Sequence, residues 1–164
     1  MNDHQDFRSN LADLLPQLRR FALALTRSKH DADDLVQSAV ERALTRSEQW
    51  TPDTRLDSWV YKIMQNLWID QRRQAARRET SAIDTAEHIT GDDGREITEN
   101  RLMAGRAKQA FDALPDDLRA AAVLVIANGL SYAEAAKTLD VPIGTIMSRV
   151  SRSRAAVIKA LEGH

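Results

Sequence analysis

Apolar positions recur at helical spacing along most of this chain, and no Val/Ile-rich alternating run bounded by turns interrupts them. Leu11, Leu14, Leu15, Leu18, Phe21, Ala22 and Leu25 predict a helix over about residues 11–26, with Pro16 tolerated near its start or bending it. A second helix is expected to take Asp31 as its N-cap. It places Asp33 and Asp34 in a first turn whose dipole favours anions, and runs through Leu35, Val36, Ala39, Val40, Ala43 and Leu44 to about Arg46. After a turn-rich stretch, residues 48–53, a third begins at Leu56. It carries Trp59, Val60, Ile63 and Leu67 on one side and passes into the basic run Arg72, Arg73, Arg77 and Arg78.

The pattern then lapses. Between residues 79 and 100, Asp84, Glu87, Asp92, Asp93, Glu96 and Glu99 face only Arg95, Gly91 and Gly94 interrupt, and large apolar residues thin out, as expected of a flexible acidic linker. Such a spacer is either a solubilising tether or, between two halves with basic patches, an occupant of a channel meant for nucleic acid. Periodicity resumes at Leu102, Met103, Ala107, Ala110, Phe111 and Leu114, stops at Pro115, and returns through Leu118, Ala122, Leu124, Val125 and Ile126 until Asn128 and Gly129. The expected architecture is all-α: a first helical domain over residues 1–78, the linker over 79–100, and a second helical domain over 101–164.

The end of the chain reads as a helix-turn-helix. Ser131 is an N-cap candidate with Glu134 three residues on, so a short helix should run from Tyr132 to about Leu139, broken by Asp140, Val141 and Pro142. The next helix starts at Ile143 or Gly144. Ile143, Ile146, Val150, Val157 and Leu161 mark its apolar face. The other face carries Thr145, Ser148, Arg149, Arg152 and Lys159, with Arg154 nearby, where donors for phosphates and base edges point outward together. A basic face alone fits a solvated helix equally well, and it is the joint presence of cap, turn and basic face that favours a major-groove reader.

Composition narrows the chemistry. The 164 residues are 43% hydrophobic and 29% charged with a net charge of −1, enough for one medium or two small cores, and any nucleic-acid contact must come from local patches. Cysteine is absent, which removes disulfides, thiolate catalysis and cysteine-ligated zinc, and His4, His30, His88 and His164 are not paired at metal-ligand spacing. No cofactor is expected. There is no Gly-rich phosphate loop and no nucleophile elbow, and the adjacent Asp33 and Asp34 diverge by about 100° on a helix, so an enzyme is not indicated. With neither a signal peptide nor an apolar run able to span a bilayer, a soluble cytoplasmic protein is expected, without membrane insertion. Trp50, in the loop beside Thr51 and Pro52, either tucks back onto the core or offers a stacking surface to an unpaired base.

Taken together, LLPQLRRFALALT, DADDLVQSAVERAL, RLDSWVYKIMQNLWIDQRR and ALPDDLRAAAVLVIANGLSYAEAAKTLDVPIGTIMSRVSRSR resemble bacterial RNA polymerase sigma factors of the extracytoplasmic-function type. That resemblance implies a region 2 and a region 4, a non-catalytic role in transcription initiation and a link to stress responses. It also implies three partners: core RNA polymerase (its beta-prime clamp and beta flap), promoter DNA and an anti-sigma factor. It implies that Asp34, Leu35 and Gln37 meet the clamp. Arg42, Arg46, Trp50, Tyr61 and Asn66 would capture a flipped base of the minus-ten element, and Thr145, Ser148, Arg149, Arg152 and Arg154 would read the minus-thirty-five element. Three departures from the family pattern, Ser38, Met147 and Ser151, put the clamp contact and promoter affinity in question. Met147 and Ser151 leave open a sigma-like decoy that sequesters an anti-sigma protein instead of reading DNA. A stand-alone repressor dimerising on half-sites about 34 Å apart leaves the first half unexplained.

Overall fold

The computed structural model describes residues 3–78 and 99–163, so nearly all of the expected linker lies outside the described residues. Eight α-helices make up the described part: α1 (Asp3–Asp13), α2 (Leu15–Thr26), α3 (Lys29–Thr45) and α4 (Leu56–Arg78) in the first half, α5 (Glu99–Asp112), α6 (Asp116–Ala122), α7 (Tyr132–Leu139) and α8 (Ile143–Glu162) in the second.

The single helix expected over residues 11–26 is two. Pro16 lies in the first turn of α2, where its missing N–H costs nothing, but its ring would strike the carbonyl four residues back if the helix ran through. The chain therefore breaks at Leu14, and α1 continues towards the N-terminus to bury Phe7 and Leu11. Arg27 closes α2 in the left-handed conformation (φ 59°), its N–H bonded to the Leu23 carbonyl at 2.9 Å. The cap of α3 is Ser28 rather than Asp31, with the Ser28 hydroxyl accepting from the Asp31 N–H at 3.3 Å, so Asp31 becomes a first-turn anion.

Around α2, α3 and α4 the first half closes on Leu18, Phe21, Leu35, Val60, Tyr61 and Met64, with the Phe21 and Tyr61 rings edge to face at 5.4 Å. In the second half, α6 runs into a π-helical turn, Val123–Ala127, before Gly129 (φ 73°) reverses the chain. The capping box forms as expected: Glu134 N–H donates to Ser131 Oγ (3.1 Å) and Ser131 N–H to Glu134 Oε1 (2.9 Å). Asp140 (φ 55°) ends α7, and Pro142 opens α8.

The two halves are packed together. Ala120, Ala121, Val123 and Leu124 join the buried residues of α2, α3 and α4 in one continuous apolar cluster, while α7 lies along α4.

Candidate nucleic-acid interface

On α3, Asp34 and Gln37 stand on the solvent side one turn apart, with Asp34 paired to His30 at 3.4 Å and Gln37 reaching Glu41 at 3.5 Å. Leu35 does not share that surface. It is 0% exposed, because a helix turns about 100° per residue and the position after Asp34 points into the bundle. A shallow depression of about 430 Å³ beside Gln37, floored by Leu15, Val36 and Val40, gives this face an apolar component.

Of the residues expected to hold a flipped base, Arg46 and Asn66 are exposed and Arg42 is half-buried. Trp50 tucks back: its ring lies 5.6 Å from Phe7, which also meets Trp59 at 6.3 Å, and its indole N–H is buried without a hydrogen-bond partner. Tyr61 is 0% exposed. Its ring fills the core against Phe21, its hydroxyl lies 3.4 Å from Gln17 Oε1, and burial pushes its pKa well above the usual tyrosine value. Tyr61 therefore does not lie on the surface with the other expected base contacts: from within α4 its ring anchors that helix against Phe21 of α2. The aromatic type sat at the right helical spacing for either role, and only the fold distinguishes them.

On α8, Thr145, Ser148, Arg149 and Arg152 form one stripe at spacings of three and four, with Arg152 bonded to Ser148 Oγ at 3.1 Å. Arg149 is partly withdrawn, its side chain 20% exposed and 3.6 Å from Asp117. Arg154 leaves the stripe. Five residues beyond Arg149 is about 140° around the helix, and Arg154 instead lines a 760 Å³ groove between the halves. Ile143 and Met147, half exposed, flank the stripe.

That groove and the seam beside it hold residues that sequence reasoning passed over. Apolar walls from Leu23, Phe111, Val123, Ile126 and Ile158 are rimmed by Arg20, Arg27, Lys108 and Arg154. Arg119, 2% exposed, donates to the Ala24 carbonyl (2.8 Å), the Leu114 carbonyl (2.6 Å) and Asp116 (2.7 Å); burial lowers its pKa, and Asp116 opposes the shift. Arg27 donates to the Asp112 and Leu114 carbonyls (3.1 and 2.7 Å), Arg20 to Asn128 (3.1 Å), and Asn128 to the Gln17 carbonyl (3.2 Å). Across the other side Arg55 pairs with Glu134 (3.1 Å) and Lys62 donates to the Lys137 carbonyl (2.9 Å). One signal was present: Arg119 is a lone cation inside the apolar run Leu118 to Ile126, where only a partnered charge is tolerated.

Among the described residues no group of three or more His, Asp or Glu is placed to hold a metal, and no helix is long and apolar enough to cross a membrane. What the arrangement offers is a set of donor-bearing helical surfaces, the property of a protein that recognises nucleic acid and other proteins.

Comparison with known proteins gives that surface a family. Residues 11–65 match the model described as the Sigma2 domain of PhyR, and residues 104–157 match Sigma-70, region 4. The chain is 36% identical over 149 residues to the ECF RNA polymerase sigma factor EcfG of Rhodopseudomonas palustris, covering 90% of this chain and 80% of that protein. It is 31% identical over 137 residues to the ECF RNA polymerase sigma-E factor of Escherichia coli, covering 77% and 72%. The sigma factor RpoE from Bartonella quintana, solved in complex with the anti-sigma factor NepR, superposes with a TM-score of 0.78 at 30% identity over 97% of this chain and 98% of that one. The fold is also that of PhyRSL from Sphingomonas sp. Fr1 in its NepR complex (TM-score 0.64, 24% identity, 93% and 87% covered). The chain belongs to the extracytoplasmic-function RNA polymerase sigma factors.

Proposed function

We propose that this chain is a non-catalytic initiation factor that binds core RNA polymerase and directs it to promoters, under the control of an anti-sigma factor, in the cytoplasm. The observation that carries the reading is the order of both halves along one chain, each matching its sigma region while the whole superposes on a sigma factor. Asp34 and Gln37 are the polar contacts for the polymerase clamp, held in register by the buried Leu35. Arg42, Arg46 and Asn66 approach the minus-ten strand, and Trp50 reaches a base only by turning away from Phe7. Stacking of a base on that indole would supply about 1 to 3 kcal/mol. Thr145, Ser148, Arg149 and Arg152 face the minus-thirty-five element, with Arg149 giving up Asp117 for a phosphate or a guanine edge. Met147, where the family commonly carries a cation, presents an apolar side chain beside this stripe.

Anti-sigma control is supported by the groove between the halves, whose apolar walls and cationic rim suit an acidic amphipathic helix. Transcription in vitro from a matching promoter, with core polymerase and this chain, tests the reading; stable association with core but no stimulation overturns it. One observation favours a second reading, a sigma-like decoy: the model matched by the first half is that of PhyR, and a PhyR chain is itself solved with NepR. Both readings give anti-sigma binding, but the decoy gives no open promoter by permanganate footprinting.

A further inference from the structure

Met147 is an apolar side chain that the fold leaves uncovered. The inward face of α8 is filled by the buried Ile146 and Val150, and it is fastened to α6 where the buried Ser153 hydroxyl donates to the Leu118 carbonyl at 3.1 Å. Met147, one position on from Ile146, falls about 100° further round the helix and is 50% exposed. Its neighbours on the outward side, three residues before and four after, are Gly144 and Ser151, both exposed, and a side chain added at Gly144 would meet nothing within 4 Å. The thioether therefore stands clear of the helix surface, beside Ser148. We propose that Met147 reads the C5-methyl group of a thymine in the minus-thirty-five element, giving this chain one upstream position recognised by apolar contact rather than by a hydrogen bond.

The chemistry of the side chain selects the base. A thioether donates no hydrogen bond and accepts only weakly, so it gains little from a phosphate, from guanine O6 and N7 or from the adenine edge. The thymine methyl is the apolar group that the base pairs present in the major groove, and contact with it takes both surfaces out of water. Placement agrees with this role. Met147 opens the second turn of α8, and the residues near the start of a recognition helix are those that meet base edges. Gly144 and Ser151 add no bulk on either side, so the helix can approach until the methionine touches, and its unbranched chain adapts to the methyl it meets. A protein partner seated here would also bury the Ser148 hydroxyl and the Arg152 guanidinium bonded to it at 3.1 Å, whereas DNA offers acceptors to both.

The inference rests on the sigma-factor reading for the DNA that is read, and deepens it by naming a base. It also gives the half-exposed methionine a use that a decoy does not require. The contact is small: burial of one methyl corresponds to about a fourfold change in affinity. Arg149 and Arg152 carry the charge-assisted contacts of the stripe, and Met147 tunes the choice of base at one position beside them.

Deoxyuridine provides the test, because it pairs as thymidine does and lacks only the methyl. Holoenzyme assembled from core polymerase and the full chain selects its preferred upstream element from duplexes randomised in that region, and each thymine of the selected element is then replaced singly by uracil. One replacement is expected to weaken binding of the parent about fourfold. Met147→Leu, which keeps an apolar side chain of similar size, should retain that sensitivity, and Met147→Ala should bind the thymine and uracil duplexes equally. An element without thymine, or one in which no replacement weakens the parent, overturns the inference. So does a methyl sensitivity that persists in Met147→Ala, which would assign the contact to another residue such as Thr145. In each of those outcomes an element has been selected and the sigma-factor reading stands; stable association with core but no selected element overturns both.

Discussion

Arg119 Nε donates to the carbonyl of Ala24 at 2.8 Å, joining residues 95 positions apart and tying the last turn of α2 to α6. The guanidinium is otherwise enclosed by Leu114 and Asp116, so its planar fork satisfies two backbone carbonyls and a carboxylate that the fold has taken from water.

Replacing Arg119 by methionine keeps the volume and strands those acceptors. The expected cost is about 3 kcal/mol, read as a lower urea midpoint with an unchanged slope. Arg119→Lys should recover only part of it, because an ammonium has no fork. A methionine variant as stable as the parent would mean the acceptors find water instead.

Phe7 holds Trp50 and Trp59 in a common aromatic cluster, and only α1 supplies it. Phe7→Ala is expected to cost about 3 kcal/mol and to shift tryptophan emission to longer wavelength as the two indoles meet solvent. Because Trp50 is then freed from its stack, binding of single-stranded minus-ten DNA by holoenzyme should not weaken at temperatures where the variant remains folded. Unchanged emission would place the cluster elsewhere.

What could be read from the sequence was what is local. The capping box at Ser131 and Glu134, the turn at Pro142 and the stripe from Thr145 to Arg152 depend on residues three to seven apart, and each appears in the structure. Ser28 displaced Asp31 as a cap because both are good acceptors and only the backbone angle at Ser28 selects between them. The seam was not legible: no spacing in the sequence ties Arg20, Arg27 and Arg55 to Asn128, Leu114 and Glu134, which only the packing of the halves brings to them. Tyr61 and Leu35 illustrate the converse, since a motif match says that a residue is needed but not whether it faces a partner or the core.

Arg152 and Arg154 separate two functions on one helix. Arg152→Ala removes a cation from the stripe with Ser148, and should lower minus-thirty-five affinity and reduce the slope of log affinity against log salt by about 0.9. Arg154→Ala changes the groove rim, so it should leave that slope alone and weaken anti-sigma binding. Fluorescence anisotropy with holoenzyme and labelled promoter, and calorimetry with the anti-sigma protein, measure the two effects. Equal loss of DNA affinity in both variants would contradict the partition of the helix faces.

Glu134 links the helix-turn-helix to the seam through one carboxylate, and its titration should reveal which contact matters more. Its pKa is lowered from the usual glutamate value, first by the Ser131 backbone N–H, with the Ser131 hydroxyl and Arg55 contributing and desolvation opposing. The folded value lies below the unfolded one. The stabilisation it provides is therefore complete above the unfolded glutamate pKa of about 4.3, and is lost as pH falls through the depressed folded value. Carbon-detected titration of the side-chain carboxyl should give a midpoint below the usual glutamate value. In Arg55→Ala the midpoint should rise yet stay below that value, because the backbone donor remains. Glu134→Gln, which keeps the capping geometry without the charge, should flatten the acid dependence of α7 while weakening the contact with Arg55. A midpoint in Arg55→Ala that returned fully to the usual glutamate value would assign the shift to the seam and not to the cap.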